Sequence, residues 1–124
     1  MSFFNKIFGS DEPQNSSSAF WKIIESDEDL KNAVAKSFEK KIVIFKHSTR
    51  CHISKMVLKN FESEVNYTDK NVDYYFLDLI AHRPISNKIA EDFGITHQSP
   101  QLIVVDNGKA VKDASHQSIS VNLI

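Results

Sequence analysis

A single cysteine, Cys51, is present, so no disulfide can close within the chain. The fold must therefore stand on its core alone, and the cysteine usage fits a reducing cytoplasm. Glycine and proline number three each, too few for a loop-dominated or low-complexity chain. No apolar run approaches the roughly 20 residues of a membrane-spanning helix. The first residues, MSFFNKIFGS, lack the apolar centre and cleavage site of a secretory signal. Charge is nearly balanced, at −1, which gives no electrostatic footprint for nucleic acid or an anionic membrane.

What the chain does have is ordinary for a globular domain. Hydrophobic residues make up 41% and charged residues 25% of 124. That length supports one core. Residues 9–18, GSDEPQNSSS, are small and turn-forming, so 1–19 read as a flexible tail and linker and 20–124 as the domain. Phe3, Phe4, Ile7 and Phe8 in the tail fit one amphipathic turn.

The domain alternates between two periods. FWKII (20–24) reads as a short strand. Ser26 followed by Asp27, Glu28 and Asp29 resembles a helix cap, and Leu30, Ala33, Val34 and Phe38 share one helical face. KIVIFKH (41–47) is a continuously apolar, β-branched run, the mark of a buried central strand. Ile53, Met56, Val57, Phe61 and Val65 return to helical spacing, so a helix starts close to Cys51. VDYYFLDLI (72–80) is a second buried strand. Pro84 suits a helix start, and Gly94 its stop after Ile85, Ile89 and Phe93. PQLIVVD (100–106) is a third buried strand, and Asn107-Gly108 before KAVKD predicts a type I′ hairpin. SHQSISVNLI (115–124) is assigned to a last helix, against its Ser, Val and Ile content. The resulting order, β-α-β-α-β-α-β-β-α, implies an α/β fold with a central mixed sheet flanked by helices.

Cys51 falls where the strand 41–47 ends and a helix begins. Chemistry collects at the carboxyl ends of strands in open α/β sheets. Free N–H groups and the positive dipole end of a helix favour a thiolate. The setting, HSTRCHIS, is polar rather than apolar, with Thr49 and Arg50 before the cysteine and His52 after it. A buried structural cysteine would sit among apolar neighbours. Three residues on, Ser54 occupies the place where a second cysteine would make a redox dithiol. A metal site built on His47, Cys51 and His52 lacks the second Cys/His cluster that zinc-like spacing requires. His82, His97 and His116 lie in other segments. Ser99-Pro100 is the second feature, with a proline that suits the first residue of a core strand.

A strand, Cys-x-x-Ser at a helix start, then Ser-Pro opening a later strand before a hairpin, resembles the thioredoxin-like fold. More narrowly, TRCHIS (49–54), SPQLIVV (99–105) and ASHQSI (114–119) resemble the monothiol bacilliredoxins, thioredoxin-like proteins of the bacillithiol redox system. The resemblance spans about 20–124. It implies that Cys51 is the nucleophile, that Pro100 is a cis-proline against the active site, and that Ser99 presents backbone groups to a thiol substrate. Ser54 then stands at the resolving position, unable to form a disulfide, with a hydroxyl in reach of the sulfur. His52 is a departure, since proline is common there, and an imidazolium at that place would strengthen the thiolate.

The activity so implied is thiol–disulfide exchange that removes bacillithiol from protein mixed disulfides. Bacillithiol is a co-substrate and no bound cofactor or metal is expected. The partners expected are bacillithiolated proteins and a bacillithiol-disulfide or thioredoxin-type reductase, with no nucleic acid and no membrane. Two other readings stand beside it. One is a glutaredoxin-like protein that holds an iron–sulfur cluster or a thiol, although His52 and Ile53 replace the Gly and Phe usual there. The other is a non-catalytic redox sensor modified at Cys51.

Overall fold

The computed structural model describes residues 20–68 and 70–124. The tail read over 1–19 lies outside them. Among the described residues, five strands form one mixed sheet: β1 (Trp21–Ile23), β2 (Ile42–His47), β3 (Asp73–Asp78), β4 (Gln101–Asp106) and β5 (Lys109–Ser115). Their order across the sheet is β1-β3-β2-β4-β5. β1 and β2 run parallel to β3, β4 runs antiparallel to β2, and β5 antiparallel to β4. Three helices connect them: α1 (Asp27–Lys36), α2 (His52–Asn66) and α3 (Arg83–Phe93).

The two-residue period of the strands divides the core into two layers. Val43, Phe45, Leu102 and Val104 point to the face covered by α2, where they meet Val57, Phe61 and Val65. Ile42, Ile44, Ile103 and Val105 point to the opposite face and meet Leu30, Ala33, Ile85 and Ile89 of α1 and α3. Both faces of β2 are covered, which is why its sequence is apolar without alternation. Trp21 anchors β1 to α2 through a 2.7 Å hydrogen bond from its indole N–H to Glu62 Oε2.

The punctuation follows the sequence closely. Ser26 caps α1 by accepting from the Asp29 N–H at 3.1 Å. Gly94 ends α3 at φ 65°, a conformation that costs glycine little. Asn107 and Gly108 turn the hairpin at φ 52° and 77°, both positive as a type I′ turn demands.

Four expectations give way. Residues 115–124 do not form an α-helix. β5 runs on to Ser115, and two 3₁₀ turns follow, His116–Ser118 and Val121–Leu123. His116 has φ 54°, outside helical space, and its N–H is taken by the Pro100 carbonyl at 3.1 Å, so no helix can start there. Ile119 and Val121 still bury against α2. Phe38 lies beyond the end of α1 and is exposed. Ile53 and Met56 share the apolar stripe of α2 but fall on its solvent side, 41% and 50% exposed. They line a shallow groove with Val57, Gln117 and Ile119. Ser54, finally, does not serve the sulfur, as described next.

Candidate active site

β2 carries the chain up to the site. After His47 the backbone turns through Ser48, Thr49 and Arg50, and the Cys51 N–H closes the turn on the Ser48 carbonyl at 3.2 Å. Cys51 is the N-cap of α2, in extended conformation (φ −104°, ψ 119°), and its carbonyl accepts the first helical bond, from the Lys55 N–H at 3.1 Å. Its thiol is a free, half-buried group with no capping hydrogen bond. The first N–H groups of a helix have no intrahelical acceptors, and α2 has no acidic residue in its first turn to claim them. The sulfur therefore sits at a helix end that favours negative charge.

Thr49, Arg50 and His52 surround the cysteine on the exposed side. The side chains of Arg50 and His52 make no hydrogen bond or ion pair among the described residues. Ser54 behaves differently. It is fully buried, and its Oγ lies 2.8 Å from His47 Nδ1 and accepts from the Ser48 N–H at 3.1 Å. The expected hydrogen bond to sulfur is absent because the first turn of α2 directs Ser54 inward, toward the end of β2. Ser54 ties the helix that carries Cys51 to the strand that delivers it. His47 in turn is held below the usual histidine pKa, chiefly by burial, with Lys55 acting in the same sense and Asp78 and Glu62 opposing.

The second half of the site arrives on β4. Lys46 on β2 pairs with Gln101 on β4. The same register continued past the ladder sets Ser48 opposite Ser99. The Ser99–Pro100 peptide is cis. Pro100 is buried, and its carbonyl is bonded to the His116 N–H. Ser99 Oγ is buried without a hydrogen-bond partner among the described residues. Because β4 runs antiparallel to β2, the turn that leads to Cys51 and the Ser99–Pro100 peptide lie at the same end of the sheet, from segments about fifty residues apart.

Three polar residues near this end of the sheet were given no part in the site by the sequence, Lys46, Ser86 and Gln101, and His97 was set apart in another segment. Lys46 is fully buried, and its Nζ lies 2.9 Å from His97 Nδ1. Ser86 Oγ approaches the same nitrogen at 3.4 Å. Gln101 Nε2 donates to the Thr96 carbonyl at 3.0 Å. Burial, and then the Arg83 charge, pushes the Lys46 amine down to about 8. His97 is likewise lowered, by burial and by the charges of Lys46 and Arg83. A lysine inside an otherwise apolar central strand, five residues before the candidate nucleophile, was the available signal.

The described residues contain no group of three or more His, Cys, Asp or Glu placed to hold a metal ion. None of their helices is long and apolar enough to cross a membrane. Residues 22–124 match the family model described as monothiol bacilliredoxin BrxC. The chain belongs to the monothiol bacilliredoxin family. As a bacilliredoxin it is a thiol redox protein, and its solved structural neighbours agree on the fold. A protein described as having a thioredoxin fold superposes with a TM-score of 0.74 at 24% identity, over 86% of this chain and 91% of that one. Thioredoxin from Trypanosoma brucei brucei gives 0.63 at 19% identity, over 77% of each chain. Malassezia sympodialis thioredoxin gives 0.60 at 24%, over 76% of each. At these identities the likeness concerns the thioredoxin fold, which this bacilliredoxin shares with its mixed sheet and flanking helices.

Proposed function

We propose that this protein is a monothiol thiol–disulfide oxidoreductase that removes bacillithiol from protein mixed disulfides, with Cys51 as the nucleophile. One observation carries the reading: the only thiol of the chain is a half-buried N-cap with no internal partner, and the residue at the resolving position, Ser54, is committed to His47 and Ser48.

The Cys51 thiolate attacks the bacillithiol sulfur of a bacillithiolated protein. A sulfur–sulfur bond forms between Cys51 and bacillithiol as the bond to the protein breaks, and the protein thiolate leaves and takes a proton from solvent. A second bacillithiol, as thiolate, then attacks the bacillithiol sulfur held on Cys51. Bacillithiol disulfide departs and the Cys51 thiolate returns. A bacillithiol-disulfide or thioredoxin-type reductase supplies the electrons that regenerate the small thiol. This route needs an accessible thiolate and a good leaving thiol, and no second cysteine. The Ser99–Pro100 segment, opposite the Ser48–Cys51 turn, receives the substrate's extended backbone. Cytoplasmic bacillithiolated proteins are the substrates this chemistry suits.

The test is to mix the reduced protein with a bacillithiolated carrier protein and follow intact masses. The expected result is one bacillithiol adduct on Cys51 with release of the carrier thiol, and no adduct in Cys51→Ser. An unmodified Cys51 and an unreleased carrier thiol would overturn the proposal.

A further inference from the structure

Lys46 occupies a place that strands reserve for apolar side chains. It follows Ile42 and Ile44 on the α1–α3 face of the sheet and is fully buried between Leu77 on β3 and Gln101 on β4. No carboxylate among the described residues pairs with it, and the charge it feels most is that of Arg83, of its own sign. Burying a charge without a counter-charge works against folding. Its hydrogen bond is to His97 Nδ1, at 2.9 Å. An ammonium only donates, so Nδ1 accepts and the imidazole proton sits on Nε2.

His97 belongs to the segment 94–100, which has no helix or strand of its own and ends in the cis Ser99–Pro100 peptide. Side chains hold this segment. Gln101, the ladder partner of Lys46, donates to the Thr96 carbonyl and accepts, at a long 3.4 Å, from the Gln98 N–H. Lys46 holds the residue between, His97. Two fully buried polar side chains, facing each other across β2 and β4, therefore grip three consecutive residues of the Pro100 segment. The next residue of β2, His47, points to the other face and reaches Ser54 below Cys51.

We propose that Lys46 is a positioning residue, whose buried amine fixes His97 and through it the Pro100 segment at the height of the Cys51 thiol, where the substrate's mixed disulfide is received. The proposal rests on the exchange reading for the word substrate, and on geometry alone for the segment. It separates from a plain structural role by the direction of two effects. A structural lysine, once removed, lowers the melting temperature and leaves the segment as ordered as the rest. A positioning lysine that is electrostatically unfavourable leaves the melting temperature unchanged or higher and loosens the segment selectively.

The experiment compares the full chain with Lys46→Met, which keeps length and apolar bulk, and Lys46→Gln, which keeps a neutral N–H donor. Amide hydrogen exchange is read at Gln98, whose N–H is bonded to Gln101 Oε1, with Phe45 and Ile103 as controls. In Lys46→Met the Gln98 amide exchanges roughly tenfold faster at unchanged control rates, and Lys46→Gln recovers most of the protection. With a bacillithiolated carrier protein, Lys46→Met raises KM about tenfold while kcat changes little, since chemistry at Cys51 is untouched. Wild-type protection at Gln98 in Lys46→Met overturns the proposal, as does a uniform loss of protection with a lowered melting temperature. If neither Lys46 variant folds, His97→Phe severs the same link and is judged by the same amide of Gln98. A wild-type chain without exchange activity removes the functional reading only, and the amide arm still decides whether Lys46 positions the segment.

Discussion

His47 at the end of β2 and Ser54 in the first turn of α2 are joined by a 2.8 Å hydrogen bond between two buried side chains. Ser54 Oγ also accepts the Ser48 N–H, so one hydroxyl joins the end of β2, the following turn and the first turn of α2. The serine that replaces a resolving cysteine is thus a strut. It fixes the turn 48–51, and with it the height of the thiol above the sheet.

Removing the strut tests its worth. Ser54→Ala leaves the Ser48 N–H and His47 Nδ1 without partners in a buried setting, which costs about 1–3 kcal/mol. Urea unfolding should show that loss with an unchanged slope. Cys51 alkylation by iodoacetamide should persist, because the sulfur takes no hydrogen bond from Ser54.

Ser54→Cys restores the dithiol spacing. The bacillithiol disulfide on Cys51 then faces an internal thiol three residues away, and intramolecular attack outruns any second small thiol. Intact mass after reaction with a bacillithiolated carrier should show an internal disulfide between Cys51 and the introduced thiol, instead of the bacillithiol adduct expected for the natural sequence. Retention of the adduct on Cys51 would show that the inward orientation of residue 54 forbids the bridge.

The layered fold was legible because apolar periods switch cleanly between strands and helices, and because Ser26, Gly94 and Asn107-Gly108 sit where caps and turns need them. Cys51 was legible for the same reason, as a polar junction after an apolar strand. The last ten residues were not. Their apolar positions, Ile119 and Val121, suit a helix face or a packed turn equally, and the choice was made by a long-range bond from His116 to Pro100. Ser54 was misread because a spacing of three residues places two side chains on neighbouring helix positions without saying which way the N-terminal turn faces. Lys46 was hidden by its company. A strand of IVIFKH reads as apolar, and only the pairing with Gln101 and the approach of His97, fifty-one residues away, give the amine its role.

Two histidines set the acid limb of stability. His47 and His97 are both held below the usual value of 6.5, each mainly by burial. The unfolded chain therefore binds protons that the folded chain refuses as pH falls below about 6.5, and stability drops with falling pH in that window. Urea unfolding at pH 7.5 and at pH 5 should show a smaller difference in His47→Gln than in the natural protein. An equal difference in both would place the acid limb elsewhere.

Lys46 acts at the other end of the scale in the same sense, as a third base whose protonated form burial disfavours. In the folded protein its amine holds a proton only up to about 8, against 10.5 when free. Between those pH values the unfolded chain binds more protons, so unfolding becomes harder as pH rises. The penalty of the buried ammonium is present in full below about pH 8 and fades toward pH 10.5. It amounts to about 3 kcal/mol. Tyr74 and Tyr75, both raised by burial, oppose this trend only near and above pH 10. The comparison that isolates Lys46 is the difference in unfolding free energy between the natural protein and Lys46→Met, measured from pH 7 to pH 9.5. That difference should move steadily in favour of the natural protein across the range. A flat difference would mean that the amine is already neutral at pH 7 or keeps its proton throughout, and either outcome would remove the electrostatic cost assigned to it.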